Sequence, residues 1–66
     1  MSIAAIFRAN AAKERAAALL ETLRNRREMH ERSAMRWDEM AQTVEEHEQL
    51  TIKNAAAKAE REKSVA

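Results

Sequence analysis

Two histidines, one tryptophan and a run of carboxylates are the side chains with the most capacity for chemistry in this 66-residue chain. His30 and His47 are the only histidines, seventeen positions apart. A helical zinc site needs two ligands about one turn apart, and neither histidine has a second one at that spacing. There is no cysteine, which removes thiolate ligands, disulfides and a cysteine nucleophile together. There is no glycine, so no glycine-rich loop can cradle a phosphate. No Ser/His/Asp arrangement is present either. The expectation is a non-enzymatic protein with no catalytic residue, no metal and no cofactor. The two histidines read as side chains partly buried at a helix interface.

Binding is the chemistry that remains. Trp37 is the only tryptophan, with Met29, Met35 and Met40 around it. Tryptophan and arginine are enriched at interface hot spots, and methionine adapts to irregular partners. Asp38–Glu48 carries five acids (Asp38, Glu39, Glu45, Glu46 and Glu48) and no base. Such a block can steer a basic partner. The expected partner-binding set is Met35, Arg36, Trp37, Asp38, Glu39, Glu45 and Glu46. The plainer alternative buries Trp37 between helices and leaves the acids solvated.

The elements that must position these residues are helices. Glycine, proline and tyrosine are absent, and strong helix formers dominate. Ser2 is a suitable N-cap. Residues 3–24 read as helix 1, with Ile3, Ile6, Phe7, Leu19, Leu20 and Leu23 among the apolar positions. The pattern fails over 25–33, where Met29 is the one apolar residue. It resumes as helix 2 over 34–60, and the tail 61–66 is expected to fray. Alternating steps of four and three from Ala5 trace a seam through Ala9, Ala12, Ala16, Leu19 and Leu23. That seam turns polar at Arg26, His30 and Ser33, then continues through Trp37, Met40, Val44 and His47. Three successive polar seam positions favour a chain reversal there, with Asn25 as the candidate left-handed residue.

The expected fold is therefore all-α, a single domain forming a helical hairpin of two long antiparallel helices. The alternative is one long helix in a coiled coil. A chain this short buries little surface alone, so two hairpins are expected to pair as a homodimer resembling a four-helix bundle. Ile6, Leu19, Leu20, Leu23, Met40, Val44 and Leu50 are the expected core or dimer contacts. No apolar run approaches the ~20 residues of a membrane span. The first residues lack the basic and apolar regions of a secretory leader. A cytoplasmic location is expected.

Arg24–Arg36 holds five arginines against two glutamates. Arg24, Arg26, Arg27 and Arg32 are the candidate contacts if the partner is a nucleic acid. The cluster Arg26, Arg27, Arg32, Arg36 and Trp37 resembles the arginine-rich RNA-binding helix of the lambdoid phage N antiterminators over about a dozen residues. That resemblance implies arginines on phosphates and a tryptophan stacked on a loop base. Met29, His30, Glu31 and Ser33 depart from it, where that family is mostly basic. The expected hairpin layout is similar to plasmid copy-number proteins that bind paired RNA loops. The chain's size and its alanine and arginine content resemble the small effectors of bacteriophages and mobile elements. The leading expectation is a small helical interaction protein that binds and modulates or inhibits a protein target, such as a host enzyme or a DNA-binding regulator. A nucleic-acid-binding helical dimer and a structural coiled-coil adaptor are the alternatives.

Overall fold

The chain begins its first helix where the capping chemistry says it should. In the computed structural model, which describes residues 2–65, Ser2 is extended (φ −74°, ψ 158°) and its Oγ accepts from the Ala5 N–H at 3.0 Å. Helix α1 runs Ile3–Leu20 and helix α2 runs Arg24–Val65. There is no strand among the described residues. The helices lie side by side and antiparallel, joined by residues 21–23.

The reversal comes earlier than the 25–33 stretch expected from the sequence, and α1 ends short of residue 24. Glu21 leaves the helix in an extended conformation (φ −84°, ψ 128°), its N–H donating to the Ala18 carbonyl at 3.3 Å. The Leu23 carbonyl accepts the Arg27 N–H at 3.0 Å and opens α2. No described residue has a positive φ, so the turn uses no left-handed residue and Asn25 sits inside α2. Charge in 24–33 does not break the helix, because arginine and glutamate are good helix formers. Arg24 Nε also donates to Glu28 Oε1 one turn on, at 3.0 Å. The tail expected to fray is helical as far as Val65, and Ala66 lies outside the described residues.

The buried core is made of alanine alone. Ala4, Ala11 and Ala18 of α1 meet Ala34 and Ala41 of α2, and both sets repeat every seven residues. Ala11 and Ala41 are fully buried, at 0% exposure. A methyl group at these positions lets two helix backbones approach closely, which a leucine would forbid. Phe7, Glu14, Trp37 and Val44 sit half-buried beside them.

This corrects the expected seam on α1. Ala5, Ala9, Ala12, Ala16, Leu19 and Leu23 are all exposed, and the packed positions lie one residue earlier. A one-residue shift turns a helix by roughly 100°. The observed register brings Phe7, the one phenylalanine, onto Trp37, and Glu14 onto His30. The seam on α2 fares better, since His30, Ser33, Trp37 and Val44 are all part-buried. Of the expected core or dimer residues, only Val44 is part of the hairpin packing. Ile6, Leu19, Leu20, Leu23, Met40 and Leu50 are exposed, Leu19 at 87% and Leu20 at 85%.

The helices are unequal. The 18 residues of α1 span about 27 Å and the 42 of α2 about 63 Å at the helical rise. The long dimension of the chain is 66 Å. Every residue from Glu46 to Ser64 is exposed, because α2 runs on past the start of α1. No helix among the described residues is long and apolar enough to cross a membrane.

Candidate functional site

The two helices meet along two edges of opposite character. One edge is ionic. Arg8 and Arg15 stand seven apart on α1, and Asp38 and Glu45 stand seven apart on α2. Arg8 donates to Glu45 Oε1 from Nε at 2.9 Å and from Nη2 at 2.6 Å, and lies 3.7 Å from Asp38. Arg15 donates to the other Asp38 oxygen. All four side chains remain a third to a half exposed. Each pair is therefore worth no more than about 1 kcal/mol, and its main effect is to set which way α1 is rolled.

The other edge is apolar. The rings of Phe7 and Trp37 have centroids 5.5 Å apart and planes tilted by 42°, within the range favoured for aromatic pairs. Phe7, Met40 and Val44 line a shallow depression beside that pair, with Arg36, Glu39 and Thr43 at its rim. Ile3 lies one turn before Phe7 on α1 and is 58% exposed, and Ile6 is 43% exposed. This edge carries adaptable and aromatic side chains at its centre and charge at its margin. That composition suits a protein partner.

The expected partner-binding residues divide between surfaces. Arg36 and Glu39 flank the apolar depression, and Trp37 stacks on the Phe7 that lines it. Asp38 and Glu45 are engaged by Arg8 and Arg15 on the ionic edge. Glu46 accepts from Gln42 Nε2 at 3.0 Å. Met35 is 59% exposed but lies roughly 160° around α2 from Trp37 at 3.6 residues per turn. Met35 and Trp37 cannot serve one flat interface.

The basic block is dispersed in the same way. Arg24 pairs with Glu28. Arg27 lies beside Arg15, Ala18, Leu19 and Glu31 near the turn. Arg24, Arg26, Arg27 and Arg32 fall on different sides of α2 at helical spacing, so they make no continuous phosphate-binding stripe.

His30 Nδ1 lies 2.7 Å from Glu14 Oε2, with both side chains about one-third exposed or less. The hydrogen bond fills the polar gap in the seam and ties the second turn of α2 to α1. His47 lies roughly 25 Å further along α2 and shares nothing with it. Among the described residues, no three His, Asp or Glu side chains are grouped so as to hold a metal.

Phe7 was among the apolar positions expected on helix 1, whereas Arg8, Glu14 and Arg15 were not expected as contact residues. Their signal is the seven-residue period. Alanine at 4, 11 and 18, alanine at 34 and 41, Arg8/Arg15 and Asp38/Glu45 all repeat at that interval. Comparison with known proteins finds no family model, no curated relative and no solved structure that matches this chain.

Proposed function

We propose that this chain is a non-enzymatic helical interaction protein. It pairs with itself, works in the cytoplasm, and binds a protein target that it modulates or inhibits. A host enzyme or a DNA-binding regulator is the kind of target intended. One observation carries this reading: the hairpin buries only alanines and leaves ten large apolar side chains exposed. A small protein that buries nothing larger than alanine and leaves its isoleucines, its leucines and Met29, Met35 and Met40 outside has surface to be covered by something else.

The target surface is the apolar edge: Phe7, Met40 and Val44 with Trp37 behind them, Ile3 and Ile6 alongside, and Arg36 and Glu39 at the rim. The ionic edge has its charges satisfied within the chain. The acids that could still steer an encounter are Glu39, Glu46 and Glu48.

The test is affinity capture from a cell lysate using the full chain, with and without nuclease. The expected result is a discrete protein retained equally in both arms. Recovery of RNA or DNA alone, lost on nuclease treatment, would replace this reading with the nucleic-acid one.

A further inference from the structure

The end of the hairpin at which the chain reverses is apolar, where a turn is ordinarily polar. Leu19–Leu23 reads Leu-Leu-Glu-Thr-Leu, with none of the glycine, proline, asparagine, aspartate or serine that turns favour. Leu19 and Leu20 end α1, and Leu23 immediately precedes α2. Leu19 is 87% exposed, Leu20 85% and Leu23 55%. Among the described residues, no other large apolar side chain is as exposed as the first two. Neither helix covers these leucines, so three of them stand in water at one end of a molecule 66 Å long.

Arginines surround the same end. Arg24, Arg26 and Arg27 occupy the first turn of α2, and all three are exposed. At roughly 100° per residue they point in three directions around the helix. The dispersion that prevents a stripe along α2 therefore makes a collar around its start. From Leu19 to Arg27 three arginines stand against Glu21 alone, a net of +2. Arg24 is held by Glu28 at 3.0 Å, and Glu21 Oε1 accepts the Leu23 N–H at 3.5 Å. Among the described residues no carboxylate pairs with Arg26 or Arg27. The acidic block from Asp38 begins about 21 Å along α2 from Arg24, more than twice the ~8 Å Debye length at physiological salt. A charged surface that meets this end first meets arginine.

We propose that the turn end is a membrane-surface tip: Leu19, Leu20 and Leu23 insert end-on into the headgroup region of an anionic bilayer, and Arg24, Arg26 and Arg27 reach the lipid phosphates. Peripheral attachment combines apolar insertion with attraction to anionic lipid, and both parts are present within nine residues. Arginine stems are long enough to lie along the leucines and keep their charge at the phosphates. Charge complementarity selects this occupant. The tip of a second copy carries the same arginines, so tip-to-tip contact sets like charges together. The acidic block of a second copy already has Asp38 and Glu45 engaged by Arg15 and Arg8. A nucleic acid would take the arginines and leave the leucines in water. An anionic surface also repels the acidic block, which holds the hairpin end-on. This goes beyond the proposed function, because the apolar edge around Phe7 and Met40 stays clear for a protein target.

The experiment is co-sedimentation of the full chain with vesicles of phosphatidylcholine alone and of phosphatidylcholine mixed equally with phosphatidylglycerol. Wild type should bind the mixed vesicles at least about tenfold better than the neutral ones, and lose that preference in 1 M salt. Leu19→Ser/Leu20→Ser and Arg26→Gln/Arg27→Gln should each weaken binding to mixed vesicles by about tenfold or more. Leu50→Ser, on the overhanging part of α2, should bind as wild type does. All four changed side chains of the tip are exposed, and circular dichroism checks that helicity is kept. Trp37 lies about 20 Å along α2 from Arg24, so acyl chains brominated as quenchers should leave its emission unchanged. Quenching of Trp37 would mean that the hairpin lies flat, and overturns the tip. So does binding that is indifferent to the leucine pair, or no binding to mixed vesicles. If wild type ignores vesicles and the leucine variant loses a protein captured from lysate, the tip is a protein surface instead. Each of these failures leaves the apolar edge to be judged by its own variants.

Discussion

Phe7 and Trp37 stack across the two helices with ring centroids 5.5 Å apart. They are the chain's only phenylalanine and only tryptophan, thirty residues apart in sequence. Their contact fixes α1 at one height along α2. It also floors the apolar edge with aromatic surface.

The pair is half-buried, so truncation should cost less than the ~3–5 kcal/mol of a fully buried aromatic. We expect Phe7→Ala and Trp37→Ala each to lower stability by about 2 kcal/mol in chemical denaturation followed by circular dichroism. The double variant should lose less than the sum, because the two rings share one contact. Strict additivity would show that the rings do not support each other.

Closeness of the helices depends on the buried alanines. Ala11→Leu or Ala41→Leu should force the backbones apart and destabilise by at least about 1–3 kcal/mol. Ala12→Leu, one position from Ala11 but exposed, should change stability by less than about 0.5 kcal/mol. Melting curves of the three variants check this. Equal effects at 11 and 12 would place the packed face elsewhere on α1.

The ionic edge should contribute specificity more than stability. A double-mutant cycle on Arg8 and Glu45 is expected to give a coupling of about 0.2–1 kcal/mol that falls in high salt. A coupling above about 2 kcal/mol that survives 1 M salt would mean the pair is far better shielded than its half-exposed geometry implies.

Helical content was legible from composition: with no glycine or proline there was no residue to stop either helix cheaply. Two helices were expected from the polar interruption of the seam, but that interruption lies inside α2 and the chain turns before it. Polarity at Arg26, His30 and Ser33 marked where α1's apolar pattern ended, whereas the backbone turned at 21–23, where Glu21 is extended. The rotation of α1 was misread because Leu19 and Leu23 were expected inside, which drew the alanine seam one residue out of register. Alanine buries little area per residue, so Ala4, Ala11 and Ala18 carry a weak hydrophobic signal although they set the spacing. Trp37 was expected to contact a partner, with burial between the helices as the alternative; it packs on Phe7, and its neighbours in sequence, Met35 and Asp38, fall on other sides of the helix.

The central claim is that the apolar edge of the hairpin is a binding surface for a protein. It is tested most directly by comparing three forms of the chain in capture from nuclease-treated lysate: wild type, an Ile6→Asp/Met40→Asp variant, and a Met35→Asp variant. Circular dichroism and sedimentation first confirm that all three keep the same helicity and assembly. The account predicts that wild type and Met35→Asp retain the same protein, and that Ile6→Asp/Met40→Asp loses it at least tenfold, because a buried unpaired carboxylate costs well over the ~1.4 kcal/mol that tenfold represents. Retention of that protein by the Ile6→Asp/Met40→Asp variant at wild-type level would contradict it.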